Sequence, residues 1–138
     1  MSRHVSENLR TQVEFHANGF CEYCRIAIED TYFGGEIDHI ISLKHHGQTE
    51  FENLALACQP CNRSKGSDLG SLSKYSKNLV RFFNPRIDIW KEHFRVNSKA
   101  EIKPLTEIGE VTADIFGFNE PERIVECRGL IEIGRYLI

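Results

Sequence analysis

Two Cys-x-x-Cys pairs, Cys21-Glu22-Tyr23-Cys24 and Cys58-Gln59-Pro60-Cys61, stand 33 residues apart in a chain of 138. Each pair forms a turn that presents two sulfurs on one side, and two such turns supply the tetrahedron that zinc takes. Four thiolates fill that tetrahedron and leave no position for a substrate, so the site would be structural. One pair alone is as readily a redox or a buried pair, but a thioredoxin-like motif needs one pair on a βαβ frame. Here two pairs bracket one short segment. Inside the bracket lies the dipeptide Asp38-His39, then Asn53, and Asn62 directly follows the last cysteine. Asp38, His39 and Asn62 read as an open site for a catalytic metal, and the zinc knuckles would build it.

Thirteen residues separate His39 from Asn53, and eight separate Asn53 from Asn62. With Ile37-Asp38-His39-Ile40-Ile41, Glu52-Asn53-Leu54 and Cys61-Asn62-x-x-Lys65-Gly66, the segment from Phe20 to Gly66 resembles the zinc-knuckle form of the HNH endonucleases. The tail is similar to that of a group of small bacterial HNH proteins, through Asn84-Pro85-Arg86, Trp90-x-x-His93-Phe94 and Leu105-Thr106-x-Ile108-Gly109. The resemblance implies an α+β protein with a ββα-metal core, in which a hairpin and a helix clamp one divalent cation. It implies His39 as general base, Asp38 as one metal ligand and Asn62 as the second. Asn53 would hold the loop and orient the histidine through backbone hydrogen bonds without touching substrate. The implied reaction is hydrolysis of DNA, leaving 5'-phosphate and 3'-hydroxyl ends.

The chemistry of the residues agrees with those roles. Phosphodiester hydrolysis needs a deprotonated water, and histidine titrates in the range a base requires. It also needs a cation where negative charge develops on the leaving oxygen. Asn62 stands at the third position of the family's name-giving pattern, in place of its second histidine, and an oxygen ligand tilts the site toward magnesium or manganese and away from zinc or nickel. The alternative is a zinc-knuckle nucleic-acid-binding module that keeps the fold without the chemistry. An intact Asp38-His39 pair argues against it. His45 and His46 read as part of a solvated loop.

Composition sets the outer limits. With 41% hydrophobic and 27% charged residues the chain is an ordinary globular one, expected as a single domain over 1–138. No apolar run approaches the ~20 residues a membrane helix needs, and the first residues lack the apolar core of a signal peptide, so a cytoplasmic location is expected. The net charge of -3 speaks against a uniformly basic nucleic-acid binder. Between Arg63 and Lys103, however, Lys and Arg outnumber Asp and Glu. Arg63 and Lys65, beside Asn62, are the foremost candidates for phosphate contact, with Lys74, Lys77, Arg81 and Arg86 as weaker ones. A double-strand cut by one such site would favour a dimer.

The elements that must position these residues follow from pattern. Val5, Leu9, Val13 and Ala17 recur every fourth residue, predicting a helix over 6–17 capped by Ser6 and ended by Asn18-Gly19, with Gly19 left-handed. A short helix is expected over 23–29. Strands over 36–41 and 54–57 and a helix from Asn62 to about Leu69 complete a nuclease core spanning 6–69. Gly70-Ser71-Leu72-Ser73 reads as a linker to a C-terminal α/β extension over 74–138. There a helix should start at Asn84-Pro85, a hairpin should turn at Asn97-Ser98-Lys99, a helix should run from Thr106 to Phe116, and Asn119 should cap a last helix. Trp90, His93, Phe94 and Cys127 read as core.

Overall fold

The computed structural model describes residues 4–136. The chain divides into two compact units, Met1–Leu69 and Gly70–Ile138.

In the first unit, α1 (Glu7–Ala17) begins where the Ser6 hydroxyl accepts a hydrogen bond from the Leu9 amide at 3.1 Å. Val13 and Ala17, four residues apart, bury one face of α1 against Leu54 and Leu56. Asn18 takes the left-handed capping position expected of Gly19, with φ 54°, and Gly19 also lies at positive φ. The side chain of Asn tolerates that conformation better than most.

The helix expected over 23–29 does not form. The chain instead reverses tightly: Phe20 pairs with Ala27, the Cys21 amide donates to the Ile26 carbonyl at 2.8 Å, and Arg25 sits at φ 72°. This reversal turns the sulfurs of Cys21 and Cys24 inward, toward those of Cys58 and Cys61. Only a single 3-10 turn, Ile28–Asp30, follows.

Strand β1 (Gly35–His39) pairs antiparallel with β2 (Leu54–Cys58), placing Asp38 opposite Ala55 and His39 opposite Leu54. All five residues of β2 are buried, so the hairpin is pinned from behind. The second helix, α2, runs Gln59–Lys65 instead of starting at Asn62. Pro60 fits a first helical turn, so the second Cys pair is itself the start of the helix.

In the second unit, the expected linker is strand β3 (Gly70–Leu72), paired with β4 (Leu79–Arg81). Gly70 is needed there, because a Cβ would meet the Val80 carbonyl oxygen at 2.3 Å. At Asn84-Pro85 the Asn84 side chain accepts from the Arg86 amide and makes a turn, and the helix that follows is one turn long, α3 (Trp90–His93). Strands β5 (Phe94–Val96) and β6 (Ile102–Pro104) form the hairpin turning at Asn97. Helix α4 (Glu107–Phe116) is capped by Thr106 and ended by Gly117. Asn119 does not cap α5 (Pro121–Glu132), because its amide exchanges two hydrogen bonds with the backbone of Ile102. Phe82, Phe83, Trp90, Phe94, Phe116 and Phe118 pack ring to ring in this unit, and Cys127 is buried. Among the described residues, no helix is long and apolar enough to cross a membrane.

Candidate active site and metal centre

The reversal at residues 20–27 and the first turn of α2 bring all four cysteines together. Their sulfurs lie within 4.8 Å of one another, all four residues are buried, and none forms a disulfide. Zinc–sulfur bonds of ~2.3 Å would hold tetrahedral sulfurs roughly 3.8 Å apart. Sγ of Cys24 and Sγ of Cys58 are 3.6 Å apart, so the cluster fits zinc. Contacts with Cys21 and Cys24 push the Cys58 thiol up, and burial, followed by the same neighbours, pushes up Cys61. Four buried thiols resist ionising together unless a cation compensates them.

The hairpin frames a cavity of about 770 Å3 lined by Asp38, His39 and Asn62, together with Glu36 and, from α1, Arg10. Alternation along a strand should send Asp38 and His39 to opposite sides. Both nevertheless line the same cavity, at the end of β1. Asp38 is 4% exposed. Its Oδ2 accepts from the Tyr23 hydroxyl at 2.6 Å, and its Oδ1 faces the Lys65 amine at 3.3 Å. Burial raises its pKa above the ordinary carboxylate value, against the opposing pull of Lys65 and then of Tyr23. The Nε2 of His39 lies 2.9 Å from the Thr49 hydroxyl.

Asn53 is buried and stitches the loop after β1. Its amide nitrogen donates to the carbonyls of Ile41 and Gln48, and its oxygen accepts from the Ile41 amide. Asn62, partly buried on α2, donates from its amide nitrogen to Glu36 at 2.7 Å. Carboxylate and amide oxygens around one cavity are the donor set of a hard divalent cation such as magnesium or manganese.

Lys65 requires a correction. As a candidate for phosphate contact it should be exposed, yet it is 2% exposed, and its amine also donates to the His39 carbonyl at 2.9 Å. Cys61 and Lys65 are four residues apart on one helix face, so the face that delivers the zinc ligand also buries the lysine. Arg63 is exposed to solvent. Nor is the basic stretch one free face. Lys74, Arg81 and Lys103 each pair with a carboxylate, on Asp114, Asp88 and Glu101.

Sequence reasoning missed Tyr23, Glu36, Thr49 and Arg10. Glu36 was findable, since it lies two residues before Asp38 on the same strand face. Tyr23, Thr49 and Arg10 meet the site only through the tertiary fold. Comparison with known families matches residues 21–68 to the HNH endonuclease model. No curated protein matches the chain. The segment that builds both sites is therefore similar to the HNH endonucleases, which suggests a domain of nuclease or nucleic-acid-binding type.

Proposed function

From that HNH match, we propose that the protein is a metal-dependent endonuclease that hydrolyses DNA phosphodiester bonds. The observation that carries this reading is the cavity beside the β1–β2 hairpin that Asp38, His39 and Asn62 all line. A module that only binds nucleic acid has no use for an imidazole and a buried carboxylate in one polar cavity.

The chain's own residues divide the work. Asp38 and Asn62 would hold a magnesium or manganese ion through oxygen atoms. The cation, when bound, supplies positive charge to the phosphate and the leaving oxygen. His39 takes the proton of the attacking water. Nε2 of His39 shares a hydrogen bond with the Thr49 hydroxyl, and the tautomer that donates Nε2–H there has its basic lone pair on Nδ1. Asn53 fixes the loop that carries Thr49 and stays away from substrate. Arg10, which lines the cavity, and Arg63, exposed on α2, would meet DNA phosphates. Cys21, Cys24, Cys58 and Cys61 would hold a structural zinc that fastens the residue 20–27 turn to the start of α2 and takes no part in the reaction.

Plasmid nicking by zinc-replete protein tests the reading. Nicks should appear with magnesium or manganese and vanish in a chelator mild enough to spare the thiolate site. If DNA is retarded in a gel while no metal supports nicking, the protein is a binding module.

A further inference from the structure

The hydroxyl of Tyr23 has no obvious reason to be in the interior. Tyr23 is 0% exposed, and a phenylalanine would fill the same space without a polar group to desolvate. The hydroxyl reaches 15 residues along the chain to Oδ2 of Asp38, at 2.6 Å. Lys65 holds the other oxygen of the same carboxylate from α2. The two contacts come from opposite neighbours, so the carboxylate plane has little freedom to rotate. Tyr23 also stands between Cys21 and Cys24, so its backbone is set by the turn that presents two of the four sulfurs.

We propose that Tyr23 is a positioning residue for the divalent cation, fixing the Asp38 carboxylate in the cavity and tying its orientation to the loaded zinc knuckle. The proposal rests on the nuclease reading above, with Asp38 as a ligand of the cation. Groups that hold a metal ligand in place are worth about tenfold to a hundredfold in metal affinity. A hydrogen bond to a charged oxygen lies at the strong end of such contacts.

The test is manganese binding to the zinc-replete protein, followed by electron paramagnetic resonance of the free ion, with zinc content measured on the same samples. Tyr23→Phe should keep its zinc and its circular dichroism while its manganese dissociation constant rises about tenfold to a hundredfold. Asp38→Asn serves as the reference for loss of the site. If Tyr23→Phe binds manganese like the wild type while Asp38→Asn does not, the hydroxyl only fills the core and the proposal is wrong, with the nuclease reading intact. If the wild type holds zinc but binds no manganese, both fall together. Should the phenylalanine variant lose zinc, the wild type still decides. The buried Tyr23 hydroxyl proton, followed by NMR, should shift on saturation with magnesium, and an unmoved resonance overturns the proposal.

Discussion

Replacing Asn53 by alanine removes three hydrogen bonds at once. Its amide nitrogen reaches the Ile41 carbonyl at 2.8 Å and the Gln48 carbonyl at 2.9 Å, and its oxygen takes the Ile41 amide at 2.8 Å. The loop closes so tightly around this amide that a Cβ on Gly47 would lie 2.8 Å from the Asn53 nitrogen and 1.7 Å from the Ile41 carbonyl oxygen. At about 1 kcal/mol net for each bond, the truncation should cost roughly 3 kcal/mol, less whatever water restores at Ile41 and Gln48. A loss of about 2–3 kcal/mol is a large part of a typical 5–15 kcal/mol. Urea unfolding in zinc-replete buffer, followed by far-ultraviolet circular dichroism, should show the midpoint falling by about 1–2 M at unchanged slope. Asn53→Asp sharpens the test. It keeps an acceptor for the Ile41 amide but sets a carboxylate against two carbonyls, so it should be at least as damaging at neutral pH and should recover partly in acid. A midpoint shift below about 0.3 M for the alanine variant would refute the reasoning, as would an aspartate variant as stable as the wild type.

Other perturbations separate the remaining roles. Thr49→Val removes the hydroxyl at His39 Nε2 while keeping shape, so kcat should fall more than KM rises, and the acid limb of the pH–rate profile should move. An unaltered profile would show that Thr49 does not hold the ring. In the second unit, two Arg81 hydrogen bonds hold the Asp88 carboxyl below its ordinary range. A depressed carboxylate stabilises the fold above the ordinary carboxylate range, and that stabilisation is lost as pH falls through the lowered folded value. Asp88→Asn should therefore lose about 0.5–1 kcal/mol at pH 7, a small figure because Arg81 is half-exposed and solvent screens the pair. The difference from wild type should close in strong acid, and a pH-independent difference would assign it to packing.

The core of the molecule was legible because its signals are local. Paired cysteines, an Asp-His at a strand end and a Pro-bearing turn are written in consecutive residues, and residues 21–68 match the HNH model accordingly. What escaped reading is where local preference yields to the metal geometry or to packing. Residues 23–29 favour a helix, but the chain reverses at Arg25 instead, and Phe20 pairs back with Ala27. Gly70 looked like a linker residue, yet its missing side chain admits a neighbouring strand. Lys65 looked like a phosphate ligand because charge is usually exposed. Only the helix phase set by Cys61 shows that it turns inward to Asp38.

The central claim is that His39 activates the water that cleaves the phosphodiester, and single-turnover nicking at saturating magnesium tests it most directly. His39→Ala should retain zinc, fold and DNA affinity while its rate falls by at least about 10²–10⁴-fold, the usual contribution of a positioned general base. A variant that nicks at near-normal rates under those conditions would contradict the claim, because the attacking water would then lose its proton without the imidazole.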